Sequence, residues 1–487
     1  MPEAIRAAFV GLTWGDEGKA KVMDDKIQEA VQMNDKKRWV IRYQGGANAG
    51  HSMYIEVDGK LVSFAVHAAP SGLTSHSDIA IGPQVAFDPV KFSREVAEAR
   101  KLFGYDEGIH ISERTGVLFD YHSRIDLWLE GLRARKAGKE IGTTGSGIGP
   151  FYADNARRDT RITFADYVGD SFLDRMGEVF EAKDFEISEA LKFYEWRIEE
   201  LKKEGKPLPK TDLPVTANKQ EYLEALIALH EPVRKELRPY RCRLEYKLND
   251  ALNNGEHIII EGAQGTLLDV DMGTIPDVTS SHLLAPHAFA SLGLPREKFM
   301  IYGVEKLYPT RVGSGPMPTL ANDDFGVETQ KQGGEKGVTT GRARRVGYPD
   351  WPLIKYSAMI NDIDAIILTR VDVVQDKNIK VCAAYDVGGE ITTEVPLNLS
   401  GIKPIYQEKQ YRWHLWDGPT DLSKPELVNE ALRDKRRAYV ESGFAGLPKE
   451  LQDYVRSHDN YVGKPTAGIS IGPARGEIVR LEIPERA

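Results

Sequence analysis

A short apolar run, Ile5–Val10, passes directly into Gly11–Lys21 (GLTWGDEGKAK), and Val22–Val31 then has the pattern of a helix. Strand, glycine-bearing turn and helix start, in that order, aim backbone N–H groups and a helix N-terminus at one place. That arrangement suits phosphate. Lys19 and Lys21 add positive charge, whereas Asp16 and Glu17 do not belong to a plain anion cradle. A carboxylate beside a phosphate site is either a magnesium ligand or a base. The plainer alternative is an ordinary βα loop carrying a solvated charge cluster.

The alternation begun here continues. Arg38–Tyr43, Ile79–Ile81 (ending at Gly82-Pro83), Gly108–Ser112, Glu256–Ile260, Phe299–Val304 and Ile363–Leu368 read as strands. Pro89–Leu102, Pro425–Tyr439 and Pro448–Val455 read as helices, the last two with proline in the first turn, where it is tolerated. Tyr54–Val66 suggests a hairpin turning at Asp58-Gly59, and a two-stranded segment is expected around Ile379–Thr393. From Phe164 to Leu252 charged segments carry apolar residues at helical spacing. No fixed-period repeat is present. The expected class is α/β: a large, mostly parallel central sheet flanked by helices, P-loop-NTPase-like in layout, with a mainly helical insertion over 164–252, in a chain long enough for one large domain or two to three ordinary ones. A generic P-loop enzyme would need G-x-x-x-x-G-K-[ST], and Gly15–Lys21 lacks both that spacing and the terminal hydroxyl.

Composition removes several classes. A net charge of −9 argues against a nucleic-acid partner. Cys242 and Cys382 are the chain's 2 cysteines, too few for a disulfide framework, and a reducing compartment fits. No run approaches the roughly 20 apolar residues of a membrane span. The first residues enter a charged loop at once, unlike a signal peptide. A cytoplasmic protein is expected.

Glycines, hydroxyls and arginines recur in loops. Gln44–Ser52 (QGGANAGHS) allows close backbone approach to a ligand. In Gly142–Pro150 (GTTGSGIGP), Thr143, Thr144 and Ser146 stand among glycines, and Arg157, Arg158 and Arg161 follow. Glu261–Asp271 (EGAQGTLLDVD) leaves the carboxyl end of a buried strand, where ligands sit in open parallel sheets. Tyr308–Thr319 carries Arg311, and Gly333–Tyr348 carries Arg342, Arg344 and Arg345, whose forked guanidinium groups match carboxylates. Asp372, just past a strand end, could accept paired N–H bonds from a guanine edge or cap a helix. The chain closes with the glycine turn Gly468–Arg475. Together these loops read as one site for several phosphates and carboxylates.

GLTWGDEGKAK, QGGANAGHS, GTTGSGIGP, EGAQGTLLDVDMGTIPDVTSS, TRVGSGPMPT, GVTTGRARRVGYPDW, LTRVDV and SIGPAR resemble, in order, the signature segments of the adenylosuccinate synthetase family. The resemblance runs from about residue 5 to 480 and is weak over the helical insertion and Ile391–Asp459. It implies a homodimeric α/β enzyme that joins L-aspartate to IMP at the expense of GTP, with Mg²⁺, giving adenylosuccinate, GDP and phosphate. By motif position Asp16 is the base that takes the N1 proton of IMP, so that O6 can be phosphorylated. His51 is the acid that stabilises the transferring phosphoryl group. Lys19 contacts phosphate, and Gln264 joins the catalytic set. Asp16 and the Gly50 carbonyl are the implied magnesium ligands. IMP contacts fall on Asn48, Thr144, Gln264, Thr279 and Arg342. An arginine from the neighbouring subunit falls at Arg157 or Arg158, with Arg157 favoured. Thr339, Thr340, Arg342 and Arg344 match the loop that closes on aspartate. The GTP set is Gly15, Glu17, Gly18, Lys19, Arg344, Arg370, Asp372, Ser470 and Gly472.

The chain departs from the family pattern at Ala20, Ser52, Ser146, Met272, Ile275, Asp277, Arg370 and Ala474. Ser146 stands where a basic residue is usual, and Arg370 where the family has lysine near guanine. These changes leave open a related ligase acting on dGMP, with ATP as a possible donor. Retention of Asp16, which a smaller residue replaces in such relatives, argues for IMP. Retention of both Asp16 and His51 argues against an inactive nucleotide-binding homologue.

Overall fold

The computed structural model describes residues 4–33, 36–47, 51–57, 60–137, 145–313, 315–336, 343–417 and 425–483. The first part of the chain runs β1 (Arg6–Gly11), α1 (Lys19–Met33), β2 (Arg38–Gly46), the hairpin β3 (His51–Val57) and β4 (Lys60–Val66), β5 (Asp78–Ala86), α2 (Pro89–Phe103) and β6 (Ile109–Ser112). Helices α3 (Asp120–Ala137), α4 (Ile148–Ala156), α5 (Phe164–Val168), α6 (Phe172–Ala182), α7 (Asp184–Lys203) and α8 (Lys219–Leu237) follow. The short strand β7 (Arg241–Cys242) then leads into α9 (Leu244–Asn253). Next come β8 (His257–Glu261), α10 (Ala285–Leu292), β9 (Met300–Lys306), β10 (Thr310–Arg311), α11 (Asp324–Gln332), β11 (Arg345–Val346), α12 (Trp351–Ile360) and β12 (Ala365–Thr369). The chain ends through β13 (Cys382–Val387), β14 (Glu390–Thr392), β15 (Lys403–Tyr406), α13 (Pro425–Ser442), α14 (Lys449–Val462), β16 (Thr466–Ser470) and β17 (Ile478–Arg480).

A 10-stranded sheet in the order β17-β16-β12-β9-β1-β8-β2-β5-β6-β7 organises the molecule. Among the described residues every pairing in it is parallel except β16 with β17. Strands buried on both faces need continuous apolar runs, which is why AAFV, HIII and AIIL read so clearly. Along β1, Ala8 and Val10 enter one core and Ala7 and Phe9 the other. A further core gathers Phe92 of α2, Phe164 and Tyr167 of α5, Phe172 and Met176 of α6 and Tyr222 of α8 beside β5 and β6. Helix ends follow local chemistry. Asp88 accepts from Lys91 N at 3.0 Å with Pro89 opening α2, and Thr163 and Asp166 form a capping box at α5.

Several elements differ from the sequence expectation. β5 does not stop at Gly82-Pro83; it continues to Ala86, pairing Gln84 with Gln44 beyond a register shift in β2. The irregularity accommodates the proline, which has no N–H to donate. The strand pair expected near 379–393 is a three-stranded sheet, because β15 adds to β13. Pro448 caps α14 from outside and is not in its first turn. The hairpin turn Asp58-Gly59 lies outside the described residues, but Val57 faces Lys60 across it. Among the described residues no helix is long and apolar enough to cross a membrane.

Candidate active site

The loops at the carboxyl ends of β1, β8, β9, β12 and β16 meet at the centre of the sheet. After β1 the backbone enters left-handed conformation at Gly15 (φ +91°), Asp16 (φ +62°) and Gly18 (φ +86°). Such values are easy for glycine and unusual for other residues. The turn leaves Asp16 exposed and folds Glu17 inward. The fully buried Glu17 carboxylate accepts from Thr13 N at 3.1 Å, Thr13 Oγ1 at 3.0 Å, Gly15 N at 2.8 Å and Lys19 Nζ at 2.7 Å. Burial alone would raise its pKa, but Lys19 and these hydrogen bonds lower it. The side chains of Glu17 and Lys19 therefore brace the turn from within.

The loop after β8 zips onto this turn. Leu267 N donates to Thr13 O at 3.0 Å and Thr266 Oγ1 to Gly11 O at 2.7 Å. Gln264 sits at φ +54° with its carbonyl against Gly11; a β-carbon at Gly11 would lie 2.8 Å from it and 2.3 Å from Glu17 Oε2. From β12, Thr369 Oγ1 donates to Glu17 O at 2.7 Å. Further along the β8 loop, Thr279 N donates to Leu268 O at 2.9 Å, leaving its half-buried side chain beside the loop.

A charged hub lies next to the turn. The buried carboxylate of Glu335 receives Lys306 Nζ at 2.7 Å, Arg344 Nη1 at 3.0 Å, Arg370 Nη2 at 3.2 Å and the Tyr308 hydroxyl at 2.8 Å. Burial would raise its pKa, but Lys306, Arg370 and Arg344 hold it well below the usual carboxylate range. Burial pushes Lys306 down to about 8 despite Glu335. Arg344 also reaches Asp16, Nε to Oδ2 at 2.7 Å. Arg370 is held at φ +64° and donates to Gly333 O as well. Glu335 and Lys306 were not singled out from the sequence. Their signal was faint: Lys306 follows Glu305 at the end of a strand that is apolar up to Val304, and Glu335 follows a glycine pair.

Asp372 lies in a turn over 371–376, not at a helix start, so it does not cap a helix. It is nearly buried, with Arg436 Nη2 of α13 at 3.8 Å from its Oδ2. Lys21 is not free for an anion. Its Nζ donates to Ser470 Oγ at 2.6 Å, to Glu477 O at 3.1 Å and to Gly472 O. Burial pushes it down to about 8, against Glu477 and Asp372. Arg311 and Arg345 are likewise engaged: they face each other across β10 and β11 and donate to the carbonyls of Pro316, Asp277 and Gly315. Arg157 is exposed at the end of α4 and pairs with Asp159 at 2.6 Å. Asn48, Gly50, Thr144, Thr339, Thr340 and Arg342 lie outside the described residues. The backbone of His51 opens β3 opposite Val66, and its side chain lies outside the description.

The structure thus brings together Asp16, Gln264, Arg344 and Arg370 with the cluster of Asp372, Ser470 and Gly472, all around the ends of parallel strands. A crevice of this kind is where nucleotides bind in open α/β sheets. The profile of the adenylosuccinate synthetase family matches residues 8–479. The chain is 35% identical to the adenylosuccinate synthetase of Geobacter sp. (strain M21), over 98% of each chain. It is 34% identical to that of Rhodococcus erythropolis, over 99% of this chain and all of the relative. Its fold superposes on the fully ligated adenylosuccinate synthetase from Plasmodium falciparum with a TM-score of 0.78, at 27% identity over 98% of this chain and 100% of that one. A cyanophage S-2L succinoaminodeoxyadenylate synthetase shares the fold at a TM-score of 0.53 and 15% identity, covering 98% of this chain and 96% of that one. The chain is a nucleotide-binding ligase of purine biosynthesis. It belongs to the adenylosuccinate synthetase family.

Proposed function

We propose that this enzyme joins L-aspartate to IMP using GTP, through a 6-phosphoryl-IMP intermediate, giving adenylosuccinate, GDP and phosphate. The observation that carries the reading is the Asp16–Arg344 contact, which unites the turn after β1 with the loop assigned to aspartate. In this reading Asp16 takes the N1 proton of IMP and makes O6 nucleophilic, worth a factor of about 10²–10⁴ in rate. His51 stabilises the transferring phosphoryl group, a step that depends mostly on positioning and charge. The aspartate amine then displaces phosphate at C6. Gln264, Asn48, Thr144, Thr279 and Arg342 hold IMP, with Arg157 supplied across a homodimer. Thr339, Thr340, Arg342 and Arg344 hold the aspartate carboxylates. The turn of Gly15, Glu17, Gly18 and Lys19 holds the GTP phosphates. Asp372, Ser470, Gly472 and Arg370 receive the guanine end.

Asp16 also fits a magnesium ion, since an exposed carboxylate is the hard oxygen donor that Mg²⁺ prefers. Asp16 and the Gly50 carbonyl would hold the ion, which supplies charge neutralisation to phosphoryl oxygens. We read the chain as a single domain over 1–487 with a helical insertion at 164–252, working in the cytoplasm on small molecules, without nucleic acid or membrane.

The test is to mix the enzyme with Mg²⁺, aspartate and each pairing of IMP or dGMP with GTP or ATP. The highest kcat/KM is expected for IMP with GTP. A preference for dGMP would overturn the substrate assignment, and no turnover with any pairing would overturn the catalytic reading.

A further inference from the structure

The segment carrying α13 matched no motif, yet it sends one side chain into the base end of the site. Arg436 is fully buried. Its Nη1 lies 3.2 Å from Glu477 Oε1 and its Nη2 3.8 Å from Asp372 Oδ2, so one guanidinium stands between two carboxylates. The guanidinium also lies over the Trp416 ring, 5.5 Å from its centroid. Gly472 makes room for it: a β-carbon there would lie 2.7 Å from Arg436 Nε and 2.2 Å from Glu477 Oε2. Glu477 is fixed in turn, because its Oε2 accepts from Ala474 N at 2.8 Å. On the other side Lys21 ties Ser470, Gly472 and Glu477 together.

We propose that Arg436 is a positioning residue for purine selection, fixing the Asp372 carboxylate so that it accepts from a guanine edge. The inference rests on the assignment of Asp372 to guanine made above. An ionised carboxylate offers acceptors only. It suits the adjacent N1–H and N2–H donors of guanine and has nothing to offer the N1 acceptor of adenine. A planar, permanently charged fork beside one oxygen sets the tilt of the carboxylate, and a lysine cannot reproduce that geometry in full. Trp416 and Glu477 hold the fork in place. Without it, two buried carboxylates would face each other across the space left behind.

The experiment compares kcat/KM for GTP and for ATP in the unmodified enzyme, Arg436→Met, Arg436→Lys and Glu477→Gln, at saturating IMP and aspartate. The preference for GTP over ATP is expected to fall by about tenfold or more in Arg436→Met, and less in Arg436→Lys, while the KM for IMP stays within about twofold. A folded Arg436→Met enzyme with an unchanged preference overturns the proposal. If thermal melts show that Arg436→Met does not fold, Glu477→Gln decides: a reduced preference supports the proposal and an unchanged one overturns it. An unmodified enzyme with no preference for GTP overturns the Asp372 assignment itself, and that failure is read before any variant is made.

Discussion

Arg344 bridges two carboxylates, reaching Asp16 through Nε at 2.7 Å and Glu335 through Nη1 at 3.0 Å. Asp16 is exposed and Glu335 is not, so the guanidinium is anchored at its buried end and meets the crevice at the other. The oxygen assigned to proton abstraction therefore carries a cation beside it before any substrate arrives. A substrate entering the crevice either displaces Arg344 from Asp16 or shares it.

Asp16→Asn removes the proposed base while keeping the shape. Asparagine tolerates left-handed backbone, so the turn at φ +62° survives. Turnover is expected to fall by about 10²–10⁴ with GTP binding largely retained. Steady-state kinetics together with calorimetric GTP titration check this; near-full activity would show that the base is elsewhere.

Glu17→Gln tests whether the buried carboxylate braces the turn. The amide presents one acceptor oxygen where the carboxylate presents two, and it leaves Lys19 buried without a counter-charge. Loss of one partner of a buried pair costs about 3–5 kcal/mol. Thermal melts are expected to show that loss, with kcat/KM falling for every substrate together. An effect confined to the KM for GTP would mean that the Glu17 side chain contacts the nucleotide.

Glu335→Gln leaves Lys306, Arg344 and Arg370 converging on a neutral group. A loss of about 3–5 kcal/mol is expected, measured by urea unfolding. The pH course has a definite sign. The folded-state pKa of Glu335 is depressed, so its contribution is present above the ordinary carboxylate pKa and fades as pH falls through the lower folded value. The gap between wild type and variant should accordingly narrow on acidification below about pH 4.5.

Asp350 carries the opposite sign. It caps α12 through Leu353 N at 3.4 Å and accepts the Tyr385 hydroxyl on the same oxygen, and burial pushes it up to about 7. A carboxyl whose folded pKa is raised loses stability as pH rises from its unfolded value to its folded one. Asp350→Asn keeps the accepting oxygen and removes the buried charge. Its stabilisation relative to wild type should grow by about 1.4 kcal/mol per pH unit from about pH 4 to 7 and then level off. Melting temperatures across that range check it; a flat difference would refute the buried-charge account.

The parallel strands were legible because double-sided burial demands unbroken apolar runs such as Ile258–Ile260, and the glycine turn was legible because left-handed backbone selects its residues. The continuation of β5 past Pro83 was hidden, because it depends on a register shift in another strand. Glu335 and Lys306 were hidden for a related reason. Each is ordinary in its own segment and acquires meaning only when β9, β12 and the 333–345 stretch converge. Arg311 and Lys21 erred the other way: a basic residue in a glycine loop looks free until the carbonyls it serves are in view. Arg436 offered no local signal, since a helical arginine is usually solvated.

Lys21, Asp24 and Asp25 of α1 are tied to Ser470, Arg475 and Arg480, the two arginine pairs at 2.7 and 2.9 Å. During synthesis these three residues, just behind the turn after β1, are made 449 to 455 residues before the partners that steady the helix. Contacts of such sequence separation pay their loop-closure cost late. A nascent chain that stalls before β16 and β17 thus carries the turn after β1 without its support, and ligation competence arrives only once those two strands are made.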